Sequence, residues 1–406
     1  MPAISAISFR PGPFRRMVSG HTAHNPGGDL MDQPVRRVLV VGGGTAGSVL
    51  TLALRQRGLD VVLAERQTEW KAIGHGITIQ GNALRALREV GVADEVVAAG
   101  APFDRLRMRT ADGGLIQEII SPPLGGDDLP PTMGSMRFLL QQVLSRHVHA
   151  SGADVRLGTG IEALTEEGGG VRATLSNGSA ELFDLVVGAD GQHSAVRSLV
   201  GLEARRRPVG MAIWRMEGPR QSGMDCAELY YGGPRYKAGY APISPDRMYA
   251  YVLDEDRRLE SYGDRPLHEL MAERAAGYGG LWPAIRASMG PDTTIDYRSL
   301  DATLIDGPWY RSRVLVIGDA AHACPPMLAQ GAAMAAEDAI VLAELIGEGY
   351  DADKVLALFM ERRQRRAAMV VDNSVQLARW EVDPAIPGAD PAGLMRSSMA
   401  TLAGPY

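Results

Sequence analysis

Three spaced glycines follow an early apolar run and have the pattern of a nucleotide-binding turn. In VLVVGGGTAGSVL they are Gly42, Gly44 and Gly47, and a helical pattern of apolar residues comes after them. Such a turn brings the backbone close to a pyrophosphate, which the positive N-terminal end of the helix attracts. Glu65 ends the next apolar run, where an acidic residue can bind the hydroxyls of a ribose. The combination favours dinucleotide binding over an ordinary glycine turn.

A second group of polar residues follows an apolar run in the middle of the chain. In DLVVGADGQHSAVRSLVG, Asp190, Gly191, Ser194 and Arg197 form the pattern D-G-x-x-S-x-x-R. Local chemistry leaves two interpretations open. The residues could form a functional site, or the segment could simply be a helix start with Asp190 or Ser194 as the N-cap.

A third segment, GDAAHACPPMLAQG, follows the apolar run Val314 to Ile317. It combines an aspartate, a histidine and two prolines just before an alanine-rich helical pattern. The chemistry of this segment is not evident from its residues alone, and it depends on what the two upstream segments bind.

The elements that must position these residues follow from the periodicity. RRVLVVGGGTAGSVLTLALRQRGLDVVLAER predicts a βαβ unit, and GNALRALREVGVADEVVAAG predicts a helix. From Pro208 to Leu253 several short runs alternate apolar and polar residues, which predicts a mostly antiparallel sheet. Helical material is expected from Ala352 to about Ala378. Since 406 residues exceed what one core usually supports, two structural units are expected.

Composition narrows the class of partner. The net charge of -6 without a basic block argues against a nucleic-acid partner, and no apolar run is long enough to predict a membrane span. The two cysteines, Cys226 and Cys324, are far apart in sequence, which favours a reducing, cytoplasmic location. Residues 1–35 lack any period and are predicted to be a disordered tail.

The three segments, in this order and each behind an apolar run, resemble the flavin-dependent aromatic hydroxylases of the para-hydroxybenzoate hydroxylase fold. The resemblance extends over nearly the whole chain from Arg36 onward. It implies an α/β protein in which a Rossmann-like FAD-binding domain carries an inserted, mostly antiparallel β-sheet substrate domain and C-terminal helices. The implied limits are residues 36–100, 131–205 and 298–345 for the FAD-binding domain, 101–130 and 206–297 for the substrate domain, and 346–406 for the helical region.

The resemblance also implies roles for individual residues. The positions expected to bind FAD are Gly42, Gly44, Thr45, Ala46, Gly47, Glu65, Arg66, Gly76, Ile77, Arg137, Ile161, Asp190, Asp319, Gln330, Gly331 and Ala332. Asp319 is expected to meet the ribityl chain, and the backbone of the last three is expected to donate to the pyrimidine edge of the flavin. Surface positions remain the alternative for Arg66 and Arg137. The family often has glycine where this chain has Ala329, so the backbone there must avoid a positive φ or bear modest strain.

The substrate pocket is expected on the antiparallel sheet and beside the flavin. Its candidate residues are His75, Trp214, Arg215, Tyr240 and Pro325, and Tyr249 is a further aromatic candidate on a predicted strand. Arg215 and Lys237 are possible partners for an anion or a hydroxyl group of the substrate. His322, Pro325 and Pro326 are expected to form a stiff wall by the ring. An aromatic residue at strand spacing is more often part of a core than of a binding site, and His75 could equally be exposed to solvent. No residue is identified as a general base, and no metal site is predicted.

The activity implied by the resemblance is that of an FAD-dependent monooxygenase. NADH or NADPH would visit transiently to reduce the flavin, and O2 would then form a flavin hydroperoxide that hydroxylates an aromatic or polyketide-like small molecule. The partners are therefore a small aromatic substrate and O2, and the protein is expected to be a monomer or a homodimer. Two alternatives stay open: a flavin-dependent dehydrogenase, reductase or halogenase-like enzyme without oxygen insertion, and a non-catalytic flavin-binding scaffold.

Overall fold

The computed structural model describes residues 34–70 and 76–406, which form a mixed α/β protein of four sheets and surrounding helices. Most of the predicted tail therefore lies outside the described residues, and so does His75.

The described strands form these four sheets. They are β1 (Arg37–Val41), β2 (Asp60–Glu65), β3 (Gly76–Gln80), β4 (Ala101–Phe103), β5 (Arg105–Thr110), β6 (Leu115–Ile120), β7 (Thr132–Met136), β8 (Asp154–Leu157), β9 (Ile161–Glu167), β10 (Gly170–Leu175), β11 (Ala180–Phe183), β12 (Leu185–Gly188), β13 (Arg205–Pro219), β14 (Ala227–Tyr231), β15 (Lys237–Pro242), β16 (Arg247–Glu255), β17 (Ile295–Leu304), β18 (Tyr310–Arg311) and β19 (Val314–Val316).

The described helices lie between and after these strands in the chain. They are α1 (Thr45–Gln56), α2 (Gly81–Glu89), α3 (Ala93–Ala98), α4 (Arg137–Ala150), α5 (Ala195–Leu199), α6 (Leu267–Arg274), α7 (Trp282–Ala287), α8 (Asp319–His322), α9 (Gly331–Gly347), α10 (Ala352–Val382) and α11 (Pro391–Ala403), with a short 3-10 helix at Leu259–Tyr262.

A six-stranded, mostly parallel sheet carries the motifs found in the sequence. Its strand order is β18-β19-β12-β1-β2-β8, and β1 pairs in parallel with both β2 and β12. β1 and β12 are apolar and almost wholly buried, as expected of strands that are covered on both faces. The glycine turn, Glu65 and the DG segment all follow the carboxyl ends of these strands. In open α/β sheets that edge is where ligands bind.

A seven-stranded, mostly antiparallel sheet stands against this unit. Its order is β17-β13-β16-β15-β14-β5-β6, so strands from two separate chain segments share it. This agrees with the kind of sheet expected from the alternating runs. β17 starts at Ile295 and ends at Leu304, and so it runs across the expected limit at residue 298. The domain limits themselves stay a prediction.

One helix differs from the sequence-based expectation. The segment after Gly81 forms two helices, α2 and α3, rather than one, because Gly91 adopts a φ of 76° that ends the first helix. The expected C-terminal helices are present as α10, which continues past Ala378, and α11. Within residues 34–70 and 76–406, no helix combines the length and the apolar character needed to cross a membrane.

Candidate active site

One large cavity lies between the two main sheets. Its volume is about 740 Å³, and its wall is formed by the ends of the parallel strands, one face of the seven-stranded sheet and part of α11. Most of the positions expected to bind FAD line this single cavity: Gly42, Gly44, Thr45, Ala46, Glu65, Arg66, Gly76, Ile77, Arg137, Ile161, Asp190, Asp319, Gly331 and Ala332. The fold therefore brings together segments that are distant in sequence.

The glycine turn leaves open space at one position and none at the others. A Cβ atom at Gly42 would lie 2.5 Å from the Ala189 carbonyl oxygen, and one at Gly47 would lie 1.9 Å from that of Gly42. At Gly44 a Cβ atom would have no neighbour within 4 Å, because this residue faces the cavity. Gly47 does not line the cavity; it lets α1 pack closely on the turn. This is the division of roles that a pyrophosphate-binding turn needs.

Glu65 holds the turn in place and also faces the cavity. Its carboxylate accepts hydrogen bonds from the Gly43 amide at 2.7 Å and from the Gln67 amide at 2.9 Å. The Gly43 carbonyl accepts bonds from the Trp70 indole and the Gln141 side chain, each at 2.7 Å. Each carboxylate oxygen can accept more than one hydrogen bond, so Glu65 retains capacity for a ligand hydroxyl.

Arg137 projects into the cavity from the start of α4. Its guanidinium has no hydrogen-bond partner among the residues that the structure describes. The surrounding protein lowers the pKa of Arg137 by desolvation, and the negative charge of Asp319 opposes that shift. Although its surface is accessible from the cavity, its charge is poorly solvated there. A cation in this state favours an anionic or strongly polar ligand.

The DG segment combines helix capping with a place in the cavity wall. The Asp190 carboxylate accepts bonds from the Ser194 hydroxyl at 2.5 Å and from the Ala195 amide at 2.7 Å, while Ser194 accepts one from the Arg197 amide at 2.9 Å. The capping interpretation is thus correct for both side chains. Arg197 reaches the Ala320 carbonyl at 2.7 Å and so ties this segment to the third motif.

Parts of the third motif point away from the cavity, contrary to expectation. His322 is buried, bonds Asp338 at 2.6 Å and stacks near Trp309, so it does not form a wall by the ring. Pro326 is exposed and lines the cavity, whereas Pro325 is buried and does not line it.

Gln330 is the one expected FAD-binding residue of the following loop that does not line the cavity. Its side chain is wholly buried and accepts a bond from Asn82 at 2.9 Å, whereas its neighbours Ala329, Gly331 and Ala332 line the cavity. Ala329 has a φ of 52°, which means that this chain accepts the left-handed backbone that glycine would adopt without strain.

The pleat of β13 separates two of the expected substrate residues. Arg215 faces the cavity, while Trp214 faces the opposite side of the sheet and packs against Tyr297 with a centroid distance of 4.7 Å. Trp214 therefore does not belong to the cavity wall, contrary to the sequence-based expectation. Tyr240 borders the cavity, but its hydroxyl donates to Glu228 within the core of the sheet.

Arg215 forms an ion pair with Asp296 at the cavity wall. Burial by itself would raise the pKa of Asp296, but the charges of Arg215 and Arg298 outweigh it and hold the pKa below its usual range. Beside the pair, burial raises the pKa of Tyr249 to about 12. At neutral pH the tyrosine is therefore a hydroxyl donor and not a base.

Several cavity residues were missed by sequence reasoning. They are Ile213, Leu229, Tyr251 and Leu253 on the sheet, Met327 and Leu328 in the loop, and Met395 and Met399 on α11. The alternation of the strands contained a signal for the sheet residues, since Ile213 and Arg215 share a face, as do Tyr249, Tyr251 and Leu253. The methionines of α11 had no comparable signal.

The arrangement fits FAD on its own residues. Gly44 and Gly331 leave open space at the starts of two helices, and Glu65 and Asp319 offer acceptors to hydroxyl groups. Arg137 offers a cation that has no hydrogen-bond acceptor among the described residues. The helix starts favour negative charge at the turn and at the loop.

Comparison with known proteins agrees with this assignment. A family described as "FAD binding domain" matches residues 36–232 and 284–374. YetM of Bacillus subtilis, which is named as an FAD-dependent monooxygenase, is 31% identical over 85% of this chain and 94% of its own. The 2-heptyl-3-hydroxy-4(1H)-quinolone synthase of Pseudomonas aeruginosa is 34% identical over 85% of this chain and 90% of its own.

A solved structure gives the same answer for the fold. The tetrameric form of 2-methyl-3-hydroxypyridine-5-carboxylic acid oxygenase is 26% identical and superposes with a TM-score of 0.75, covering 90% of this chain and 98% of that one. The resemblance inferred from the three motifs is thereby confirmed, and the alternatives without oxygen insertion lose their support. This chain belongs to the FAD-binding-domain family and is an FAD-dependent monooxygenase of the aromatic hydroxylase type.

Proposed function

We propose that this monooxygenase takes electrons from NADH or NADPH and uses O2 to hydroxylate a small, oxygen-bearing heteroaromatic or phenolic compound. The observation that carries the proposal is the single continuous cavity, which has the dinucleotide turn at one wall and the face of an antiparallel sheet at another. A cofactor and an apolar ring can share such a cavity.

The names of the similar proteins support the substrate class. The Pseudomonas relative is named for a hydroxyquinolone, and the structural neighbour for a hydroxypyridine carboxylic acid. Both names describe a nitrogen heterocycle with an oxygen on the ring. The substrate side of this cavity suits such a molecule, because aliphatic and sulfur-containing side chains surround a few hydrogen-bond donors.

FAD supplies the redox and oxygen chemistry when it is bound. This chain would hold the adenosine half with the glycine turn and Glu65, and it would hold the ribityl chain with Asp319. Backbone amides at the start of α9 would face the pyrimidine edge, where the positive helix end stabilises negative charge. Arg137 would add a positive charge beside the cofactor.

The remaining cavity residues would orient the substrate ring and exclude water. Arg215 is held by Asp296 and Tyr249 is protonated at neutral pH, so both can donate hydrogen bonds to polar substituents of the substrate. Leu253 and Met399 supply apolar surface. Exclusion of water and a fixed ring position are what an oxygen transfer of this kind requires from the protein.

The proposal is tested by turnover with labelled oxygen. The purified protein is supplied with FAD, NADH or NADPH, and a panel of hydroxylated quinolines, pyridines and phenols, and product mass is followed under ¹⁸O2. We expect substrate-stimulated oxidation of one reduced nicotinamide and a product heavier by one labelled oxygen atom. Oxidation that yields only hydrogen peroxide with every compound would contradict the proposed class.

The cytoplasmic location and the monomeric or homodimeric state stay predictions.

A further inference from the structure

The seven-stranded sheet places a buried lysine in the cavity wall. Lys237 begins β15 and is only 5% exposed, yet it lines the cavity. Its ammonium group forms an ion pair with Glu381 near the end of α10 and lies 3.8 Å from the sulfur of Met327. Met327 belongs to the loop between the two prolines and α9, so the ammonium group lies beside the loop that borders the flavin site.

The bonds of this lysine leave one donor unused. An ammonium group has three N–H donors; Glu381 takes one, and the Met327 sulfur is at most a weak acceptor for a second. Among the described residues the third has no hydrogen-bond acceptor, although the ammonium group also lies 5.9 Å from the centre of the Tyr231 ring. Burial alone would lower the pKa of Lys237, but Glu381 outweighs it and holds the pKa above its ordinary value. The group is therefore a permanent cation at neutral pH.

A tyrosine hydroxyl lies on the same face of the sheet. Tyr251 pairs with Gly239 on β15, two positions after Lys237, and lines the cavity. A Cβ atom at Gly239 would be 2.6 Å from the Tyr251 hydroxyl, so the absence of a side chain at Gly239 lets the tyrosine lie over this strand. Within the described part of the chain, this hydroxyl has no hydrogen-bond partner. Burial raises its pKa, so it remains a donor.

A buried ion pair is a poor source of stability, because desolvation of two charges offsets their attraction. Here the cost is increased by Glu381, whose second carboxylate oxygen is buried and has no partner within the described residues. Replacing such a pair by two apolar residues of similar size is often neutral or stabilising, so stability alone does not account for a charged pair at the cavity wall.

We propose that Lys237 and Tyr251 form the binding site for the ring oxygen of the substrate, with Glu381 as the positioning residue that holds Lys237. The site would take a phenolate, enolate or conjugated carbonyl oxygen, for which a cation and a neutral hydroxyl donor are complementary. This inference rests on the proposed function, because it assigns the substrate oxygen of that reaction to named residues.

Binding without turnover tests the site. Calorimetry on the FAD-loaded, oxidised protein measures the dissociation constants of two pairs of compounds. The pairs are 4-hydroxyquinoline with 4-methylquinoline and phenol with toluene, and in each pair a methyl group replaces the hydroxyl group. In at least one pair we expect the wild type to prefer the oxygen compound by about tenfold to a hundredfold, as for a hydrogen bond to a charged group. No preference in either pair would overturn the proposal.

The variants then identify the residues. The double variant K237M/E381Q avoids an unpaired buried carboxylate, and it should bring the preference near unity while leaving the affinity for the methyl compound unchanged. Tyr251→Phe removes only the hydroxyl group and keeps the aromatic ring, and it should lower the preference several-fold. It therefore tests the site even if the double variant does not fold. Lys354→Met is the matched control, since Lys354 is exposed on α10, and it should change nothing. An unchanged preference in K237M/E381Q or in Y251F would refute the site.

These results are separable from the test of the monooxygenase. Loss of oxygen preference with normal FAD content, read from visible absorbance, reports on the binding site alone. Failure to incorporate labelled oxygen while the preference persists would overturn the proposed reaction and leave the binding site intact.

Discussion

Two glycines of the same turn should respond in opposite ways to the same substitution. Gly44 is the N-cap of α1, with φ -72° and ψ -169°, a backbone conformation that alanine also adopts. A methyl group there would meet no protein atom within 4 Å, whereas a methyl group at Gly47 would lie 1.9 Å from a backbone oxygen. Gly44→Ala should therefore affect the ligand, and Gly47→Ala should affect the fold.

The magnitudes follow from known effects. At Gly44, alanine is the poorer N-cap, which lowers the free energy of unfolding by about 0.5–1 kcal/mol. Alanine also reduces the conformational entropy of the unfolded chain, which raises the free energy of unfolding by about 0.4–1 kcal/mol. The free energy of unfolding of the FAD-free protein should thus change by less than about 0.5 kcal/mol. The methyl group would occupy space that the pyrophosphate needs, and overpacking of about 1–3 kcal/mol corresponds to an affinity for FAD that is weaker by about fivefold to 150-fold. For Gly47→Ala we expect a loss of stability of about 3 kcal/mol.

The assay combines urea denaturation of the FAD-free proteins with titration of FAD by flavin fluorescence. Gly307→Ala is the matched control, because Gly307 is exposed, has open space for a Cβ atom and lies outside the cavity. This control should leave both quantities near the wild-type values. The reasoning is refuted if Gly44→Ala binds FAD as tightly as the wild type, or if it unfolds as readily as Gly47→Ala.

Three further predictions concern the buried polar groups and the strained loop. Burial would raise the pKa of Asp338, but His322 and Arg363 outweigh it and hold the pKa below its usual value. The ionised carboxylate therefore stabilises the folded protein above about pH 4, and this contribution is lost as the pH falls further. Asp338→Asn should lower the free energy of unfolding at pH 7 by about 3–5 kcal/mol, and the variant should lack the acid-dependent loss of stability that Asp338 causes in the wild type. If the free energies of unfolding of variant and wild type, from denaturation curves, differ by the same amount at every pH, the ion pair does not have this role. Arg137→Met should leave the stability of the FAD-free protein unchanged or slightly higher, since its poorly solvated cation has no acceptor in the described residues, and should weaken FAD binding about tenfold in a fluorescence titration; an unchanged dissociation constant would count against its role. Ala329→Val should lower the midpoint of thermal unfolding, by a free energy of about 1–2 kcal/mol, because a β-branched residue tolerates a φ of 52° less well than alanine does; equal midpoints would show that the loop relaxes.

The motifs could be read from the sequence because their chemistry is local. A glycine turn between a strand and a helix has one structural solution, and Glu65 must follow at the end of the next parallel strand. The break between α2 and α3 was equally local, since Gly91 lies within the run of helical residues. It was missed because isolated glycines are often tolerated in helices.

The orientation of side chains was less accessible. Alternation along β13 shows that Trp214 and Arg215 face opposite sides, but it does not say which side holds the cavity. The packing of α6 and α7 decides this, because it gives Trp214 an apolar core that includes Trp282 and Leu270. His322 likewise points inward because Asp338, on a different helix, offers a buried acceptor.

The central claim is that segments far apart in sequence hold one FAD molecule along the cavity, with the substrate against the sheet. A crystal structure of the FAD-loaded protein tests it most directly. We predict ribose hydroxyls within hydrogen-bonding distance of Glu65, the ribityl chain at Asp319 and the pyrimidine edge at the backbone of Gly331 and Ala332. FAD bound outside this cavity, or bound in it with these groups away from Glu65, Asp319 and Gly331, would contradict the account.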